Sequence, residues 1–574
     1  MIGLQPFIRD VYPAKAQFVG NEPVNVCIEL ENPGVLRNMR IVVRVLFMDE
    51  LIAEKTFQLE VQSGIRQLAV PVEVRPGEAD LTGYGLDVFL YDREVCLDTR
   101  STAFDVVSCW NKSIRYGFLS HYDTADMSDE TDLAWMRKLH LNAVQFYDWM
   151  YRHDNLIPPH DGEFQDLMGR TVNIDTVRHK IALCHRLGMR AIAYGAVYAA
   201  SHAFHRRHPD WGLLDGNGNT HDFIGVFKIM NISPESPWHR HIIGQYRNAI
   251  EQLNFDGIHM DTYGFPKTAL SRLNGVRKIE RLDAHFPVLI DHSREELAKS
   301  KPDVGLIFNN VGNWPVDAVA SSAQDAVYIE VWKPYERYHH IRELIERAKR
   351  AGHGKPVILA AYLQPFRRKQ SEHVAKANYA ALLLTAIIVS HGGTHLLLGE
   401  NKGVLTEGYY VNHARLSDEF AEEIRRYYDF QVRYANLFYD GELKDVSMTH
   451  TDWDNVEYTF LGSRFSSYGQ GGKVWTIIRE KPGLKTVALV NLRGNDEFWN
   501  KGKNKPPVQY NLEVRMLIMG NVQSVFLASP DEHMGRPQQV PYRIEAGKKG
   551  AELVVTIPRL SVWSLLTVRL AEEE

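Results

Sequence analysis

Between about residue 111 and residue 440 the chain repeats one unit: an apolar run of strand length, a polar loop, and a stretch whose apolar residues recur at helical spacing. Eight runs carry the repeat: IRYGFLSHY (114–122), LNAVQFYD (141–148), MRAIAYGAVY (189–198), FDGIHMD (255–261), VGLIFNN (304–310), AVYIEVW (326–332), PVILAAY (356–362) and THLLLGE (394–400). A buried strand followed by an amphipathic helix brings the chain back parallel to itself, and eight such units predict a (β/α)8 TIM barrel. The helical stretches NIDTVRHKIALCHRLG and YHHIRELIERAKRAG both end in glycine, as a left-handed C-terminal cap requires.

The repeat leaves two flanks, and 574 residues are too many for one compact core. Residues 1–110 read as short alternating runs, VNVCIELEN, RIVVRVLFMD, LAVPVEVRP and GYGLDVFLYD, with no helical period, which predicts a β-sandwich. After a last helix near 417–436, VWTIIRE, TVALVNLRG and LVVTIPRLSVWSLLTVRL predict a C-terminal antiparallel β-domain over 441–574, which leaves 111–440 for the barrel. The glycine-rich YGQGGK (468–473) lacks the phosphate-loop pattern and is expected to be a hairpin turn.

Composition excludes some classes of partner. A net charge of -5 provides no basic field for nucleic acid or an anionic membrane, and no apolar run approaches a membrane span. MIGLQPFIRDVYPAK lacks a basic start followed by an apolar run, so the expected location is cytoplasmic, or extracellular for a trimmed form of an exported protein. Cys27, Cys96, Cys109 and Cys184 show no CxxC spacing and are expected to be buried free thiols. His202, His205 and His208 lack the acidic partner of a zinc motif and are expected to be solvated, so no metal and no cofactor is assigned. Oligomeric state stays open.

A barrel presents its working groups at the carboxyl ends of its strands. Those ends supply Tyr122, Asp148, Trp149, Tyr198, Asp261, Asn309, Asn310, Trp314, Glu330, Trp332, Tyr362, Gln364 and Glu400, with His259 inside the fourth strand. Carboxylates, amides and aromatics together suit a neutral polyhydroxylated substrate. Asp261, short and fixed at the end of FDGIHMD, suits a nucleophile; Glu330 in YIEVW reaches further and, kept partly desolvated, suits a proton donor to the leaving oxygen. Each has a plainer rival: Asp261 bonding the turn amides of DTYG, Glu330 pairing an arginine, and Trp314, Trp332 and Tyr198 packing in the core. Asp256, at the start of the same strand, is expected to shape its entry.

With FDGIHMDTYG and YIEVW located, and RYGFLSHY opening the barrel, the chain resembles the family 66 glycoside hydrolases, the dextranases and cycloisomaltooligosaccharide glucanotransferases. The resemblance covers essentially the whole chain and implies an immunoglobulin-like N-terminal sandwich, a catalytic barrel and a C-terminal β-domain. It implies Asp261 as nucleophile and Glu330 as general acid/base in retaining cleavage of α-1,6-glucosidic bonds of dextran or isomaltooligosaccharides, without a cofactor. The glucanotransferases carry an added carbohydrate-binding module in the barrel region, whereas only about thirty residues separate strands seven and eight here, so the first expectation is a dextranase-like endo-α-1,6-glucanase. The alternatives are a cyclising transglycosylase, an intracellular enzyme degrading linear or cyclic isomaltooligosaccharides, a carbohydrate-binding barrel without catalysis, and a purely structural protein.

Overall fold

The computed structural model describes residues 7–32, 36–61, 64–72, 79–368, 370–451, 455, 457–547 and 550–571. Strands fill both flanks. Before residue 108, a three-stranded and a five-stranded sheet face each other across Ile28, Ile41, Val88 and Phe104, whose alternation along their strands directs them inward. The last residues of LAVPVEVRP lie outside the described part; its strand is Gly64–Val72. Beyond residue 440 a seven-stranded and a four-stranded sheet enclose Ile478, Val487, Val514, Val555 and Leu566.

Between the flanks runs a curled, mainly parallel sheet. Its strands are β1 (Tyr116–Leu119), β2 (Ala143–Phe146), β3 (Arg190–Ala196), β4 (Gly257–Asp261), β5 (Gly305–Val311), β6 (Ala326–Glu330), β7 (Val357–Ala360), β8 (Thr394–His395) and β9 (Leu398–Gly399). Hydrogen bonding runs in parallel from β1 through β7 to β8, while β9 pairs in parallel with β1 through Gly399 and Phe118. The two ends of the sheet therefore meet in one short segment, 394–399. Helices such as Ile174–Arg186, Pro237–Leu253, Tyr338–Ala351 and Ser371–Ser390 cover its outer face. Tyr116, Ile192, Ile307, Tyr328, Ile358 and Leu396 fill its inner face.

Local chemistry sets the helix ends. Asn173 and Ser236 cap their helices by accepting from Asp175 N and Trp238 N. Gly188 closes the first in the left-handed region at φ 69°, as expected. Gly352 does not: it sits at φ -91°, and His353 and Gly354 take the positive φ values one step later.

Ion pairs buried between elements fix the flanks to the centre. Asp105 of the N-terminal sheets pairs with Arg115 at the entrance to β1, and Asp87 with Arg433 near the end of the helix Asp418–Arg433.

Four further expectations change. YGQGGK is no hairpin, because Phe465–Ser466 pairs in parallel with Val474 and Trp475. The cysteines are all free, but Cys184 alone is buried; Cys96 is exposed, and Cys27 and Cys109 are half-buried. Ser371–Ser390 is long and apolar enough to cross a membrane, although 67% of its most apolar window is buried within the protein. His202, His205 and His208 lie on and just after a short helix, where His205 bonds Thr220 and His208 stacks on Trp211, so they are partnered as well as surface-facing.

Candidate active site

The parallel sheet delivers Asp261 and Glu330 at the carboxyl ends of β4 and β6, with Asn309 of the intervening β5 between them. The Asn309 amide donates to Asp261 Oδ1 at 2.7 Å and to Glu330 Oε2 at 3.1 Å. One nitrogen touching both holds the two bonded oxygens no more than about 6 Å apart, an upper bound that admits the ~5–5.5 Å of a retaining pair. The Tyr194 hydroxyl, from β3, donates to Asp261 Oδ2 at 2.7 Å.

Among the described residues neither carboxylate has an ion-pair partner; Arg367, which lines the same cavity, pairs with Glu407. Burial pushes Asp261 up to about 6, against the opposing effect of the Asn309 and Tyr194 donors. Burial and then the charge of Asp261 push Glu330 up to about 7. The close approach of the 406–410 loop completes this burial: a Cβ on Gly408 would lie 2.9 Å from Glu330 Oε1, so glycine lets the backbone lie against the carboxyl.

The pair opens into a cavity of about 760 Å³, whose lining includes Tyr147, Asp148, His153, Tyr194, Tyr263, Trp332, Gln364 and Tyr409. Asp148 sits at φ 48°, its carbonyl held by Arg170 at 2.7 Å. Burial pushes its carboxyl up to about 7, while Arg170 acts the other way. Beside it, burial pushes His153 down to about 3, so its ring is neutral.

Of the residues expected at the mouth, Asp148, Asp261, Glu330, Trp332 and Gln364 line this cavity, and Asn309 binds the carboxylate pair. Tyr362 stands behind Trp332, edge to face at 5.8 Å, and faces an adjoining depression. The others serve the frame. Tyr122 is buried with its hydroxyl on Leu119 O, Trp149 is fully buried with its indole N–H on Tyr194 O, and Asn310 donates to Tyr328 O. Tyr198 accepts from Tyr263 N and donates to Phe265 O, shaping the loop after β4 from behind. His259 fills the sheet's interior between Tyr116 and Tyr328, and Trp314 packs on Phe286. Glu400 is fully buried, held by the Ser120 hydroxyl and by His121 Nδ1 at 2.6 Å.

The cause is geometric. Nearness to a strand end selects a residue without fixing its direction, and successive side chains point to opposite faces, so Asn309 turns to the carboxylates while its neighbour Asn310 turns away. The sequence reading also missed Tyr147, Tyr194 and His153. Tyr194 had a usable signal, since it alternates with Ala196 on the strand beside β4. His121, Glu400 and His413 bring one potential metal-ligand atom each within 4.8 Å of one another, as do His339, His340 and Glu343. In the first group Glu400 Oε1 is already engaged by Ser120 and His121, whose ring is held above its usual pKa by that bond.

The family model described as glycosyl hydrolase family 66 matches residues 13–567. A cycloisomaltooligosaccharide glucanotransferase from Niallia circulans is 24% identical over 617 residues, covering 82% of this chain and 62% of its own length. A dextranase from Streptococcus salivarius is 22% identical, covering 85% of this chain and 67% of its own. The crystal structure of a Paenibacillus sp. cycloisomaltooligosaccharide glucanotransferase complexed with cycloisomaltoheptaose superimposes with a TM-score of 0.88 at 20% identity, over 98% of this chain and 100% of that one. This chain thus shares that structure's fold.

Proposed function

The chain belongs to glycosyl hydrolase family 66, and from that premise we propose that it cleaves α-1,6-glucosidic bonds of dextran or isomaltooligosaccharides by double displacement. Asp261 is the nucleophile and Glu330 the general acid/base. The observation that carries this reading is the single Asn309 amide bridging the half-buried Asp261 and the buried Glu330, neither of which has an ion-pair partner among the described residues.

The chemistry follows from the two environments. Donors from Asn309 and Tyr194 favour the ionised form of Asp261, while Glu330 keeps its proton to higher pH. The two titrate as a pair, and the Asn309 and Tyr194 donors on Asp261 favour keeping the shared proton on Glu330. An Asp261 oxygen bonds to the anomeric carbon as the glycosidic C–O bond breaks, and Glu330 gives its proton to the departing oxygen. Glu330, now a carboxylate, takes a proton from water, whose oxygen displaces Asp261 and restores the α configuration. Frame and boundaries belong to the same proposal: the curled sheet is a (β/α)8 barrel over 111–440, between an immunoglobulin-like sandwich (1–110) and a C-terminal β-domain (441–574). The pairing of β9 with β1 supports closure.

If an acceptor 6-hydroxyl replaces water, the same intermediate gives transfer or cyclisation. The two glucanotransferases described above favour that second reading. Hydrolysis comes first because the connection from β7 to β8 holds only a single-turn helix, Gln364–Arg367, and the helix Ser371–Ser390, with no inserted domain among the described residues.

The test is incubation of wild type and Asp261→Asn with dextran and with linear and cyclic isomaltooligosaccharides, resolving products by size and anomeric form. The expected result is α-anomeric isomaltooligosaccharides from wild type alone. Turnover of none of these glucans, or an unimpaired Asp261→Asn, would overturn the proposal.

A further inference from the structure

The cavity around the carboxylates continues past Trp332. Trp332 and Gln364 line it and also line a second depression of about 540 Å³, whose far wall is Phe498, Trp499 and Asn500. Those three come from the segment joining the C-terminal strands Leu484–Asn491 and Gln509–Leu517, not from the curled sheet.

This segment is fastened to the loops that follow β6 and β7. The Trp499 indole N–H donates to Tyr335 O at 2.6 Å, Tyr338 N donates to Glu497 O at 2.9 Å, and Gln364 N donates to Asn500 Oδ1 at 3.0 Å. Lys503 N bonds Lys376 O at 2.8 Å, and its buried side chain bonds Asp496 O at 3.0 Å. A wall held at so many points needs no ordering when a ligand arrives.

What it presents suits a sugar chain. Trp332 is 37% exposed at the junction of the two spaces, a flat surface braced by Tyr362. The Asn500 carbonyl oxygen is engaged, while its NH2 and the Gln364 side chain have no hydrogen-bond partner among the described residues. Glu330 must reach the oxygen that leaves, and Val331–Trp332 carries the backbone from Glu330 into the depression.

We propose that this depression receives the leaving side of an α-1,6-glucan, the glucosyl units beyond the bond being cut, and later the incoming acceptor. The C-terminal sheets would thus bind substrate as well as support the fold. The inference rests on the roles given to Asp261 and Glu330 above. An α-1,6 linkage has one more rotatable bond than linkages to ring carbons, so a prebuilt groove gains most with such a chain.

Dextran and α-isomaltotriosyl fluoride separate the two claims, because fluoride departs without a sugar on the leaving side. Asn500→Ala removes the amide, and Asn500→Trp fills the depression. The expected result is a dextran-to-fluoride ratio of kcat/KM lowered about tenfold by Asn500→Ala and further by Asn500→Trp, with a parallel loss of transfer to added isomaltose. Since Asn500→Ala only deletes atoms, it decides the matter if Asn500→Trp does not fold. A ratio unchanged in Asn500→Ala would overturn the inference, as would equal losses on both substrates. A wild type inactive on both would overturn the carboxylate roles instead.

Discussion

Asp256 and Asp261 bracket one short strand, and both carboxylates are largely removed from water, yet their surroundings are opposite. Asp256, at the foot of β4, accepts from His185 Nε2 at 2.8 Å, Lys301 Nζ at 2.7 Å and Ala191 N at 2.8 Å. Burial alone would raise its pKa, but His185 and Lys301 outweigh burial and hold it below the usual carboxylate range. Asp261, at the top, has only neutral donors, and burial wins. Burial therefore does not separate the two aspartates; the charge of their partners does, and that is the contrast on which the roles proposed for them rest.

The sharpest way to break this contrast is to make each residue an amide. Asp261→Asn is expected to lower kcat/KM on dextran by ~10³–10⁵, because the lost group acts on the transition state, with Glu330→Gln similarly crippling. Asp256→Asn should keep most of its activity per folded molecule. Comparable activity losses at the two positions in folded protein would erase the distinction.

The converse effect is on stability. Asp256→Asn is expected to cost about 2–4 kcal/mol at pH 7, since it leaves Lys301 without its counter-charge and His185 without its carboxylate partner. A group with a depressed folded pKa stabilises above its unfolded pKa and loses that contribution as pH falls through the folded value. The denaturant midpoints of wild type and Asp256→Asn should therefore converge on acidification below about pH 4.

Asn309→Ala sharpens the comparison at the working end, with an expected loss of about 10²-fold. Without that donor the Asp261 carboxylate is less favoured, so the acid limb of the kcat/KM profile should move to higher pH. A lowered rate with an unmoved limb would mean that Asn309 only positions the pair.

The smallest effect has the opposite sign. Asp261 titrates higher folded than unfolded, so ionising it opposes folding, and the stability present below the unfolded pKa is lost as pH rises through about 6. Asp261→Asn is thus expected to gain about 1–2 kcal/mol at pH 8 and nothing at pH 4, checked by thermal unfolding at both.

The strand–helix grammar of 111–440 was legible because burial on both faces of a parallel sheet leaves near-continuous apolar runs. FDGIHMD and YIEVW were legible as bearers of the pair because each sets a single carboxylate at or near the end of its apolar run, where the strands Gly257–Asp261 and Ala326–Glu330 stop. Side-chain direction was not, which is why Tyr122, Trp149, Asn310 and Glu400 were drawn to a cavity they do not line. Nor were contributions from distant loops: Gly408 lies against Glu330 only because the 406–410 loop folds over the mouth, and Asn500 comes from another pair of sheets. A glycine-rich stretch such as YGQGGK states that the backbone is permissive, not which way the flanking strands run.

The seam at 394–400 also has a consequence for the growing chain. Ser120 and Glu400, which bond across it, are 280 residues apart. On a ribosome adding about 5–20 residues per second, β1 waits roughly 15–55 s before its second neighbour exists. Through that interval the nascent polypeptide carries an open strand edge able to recruit other chains, so its yield in a cell depends on how that edge is shielded while translation is still under way.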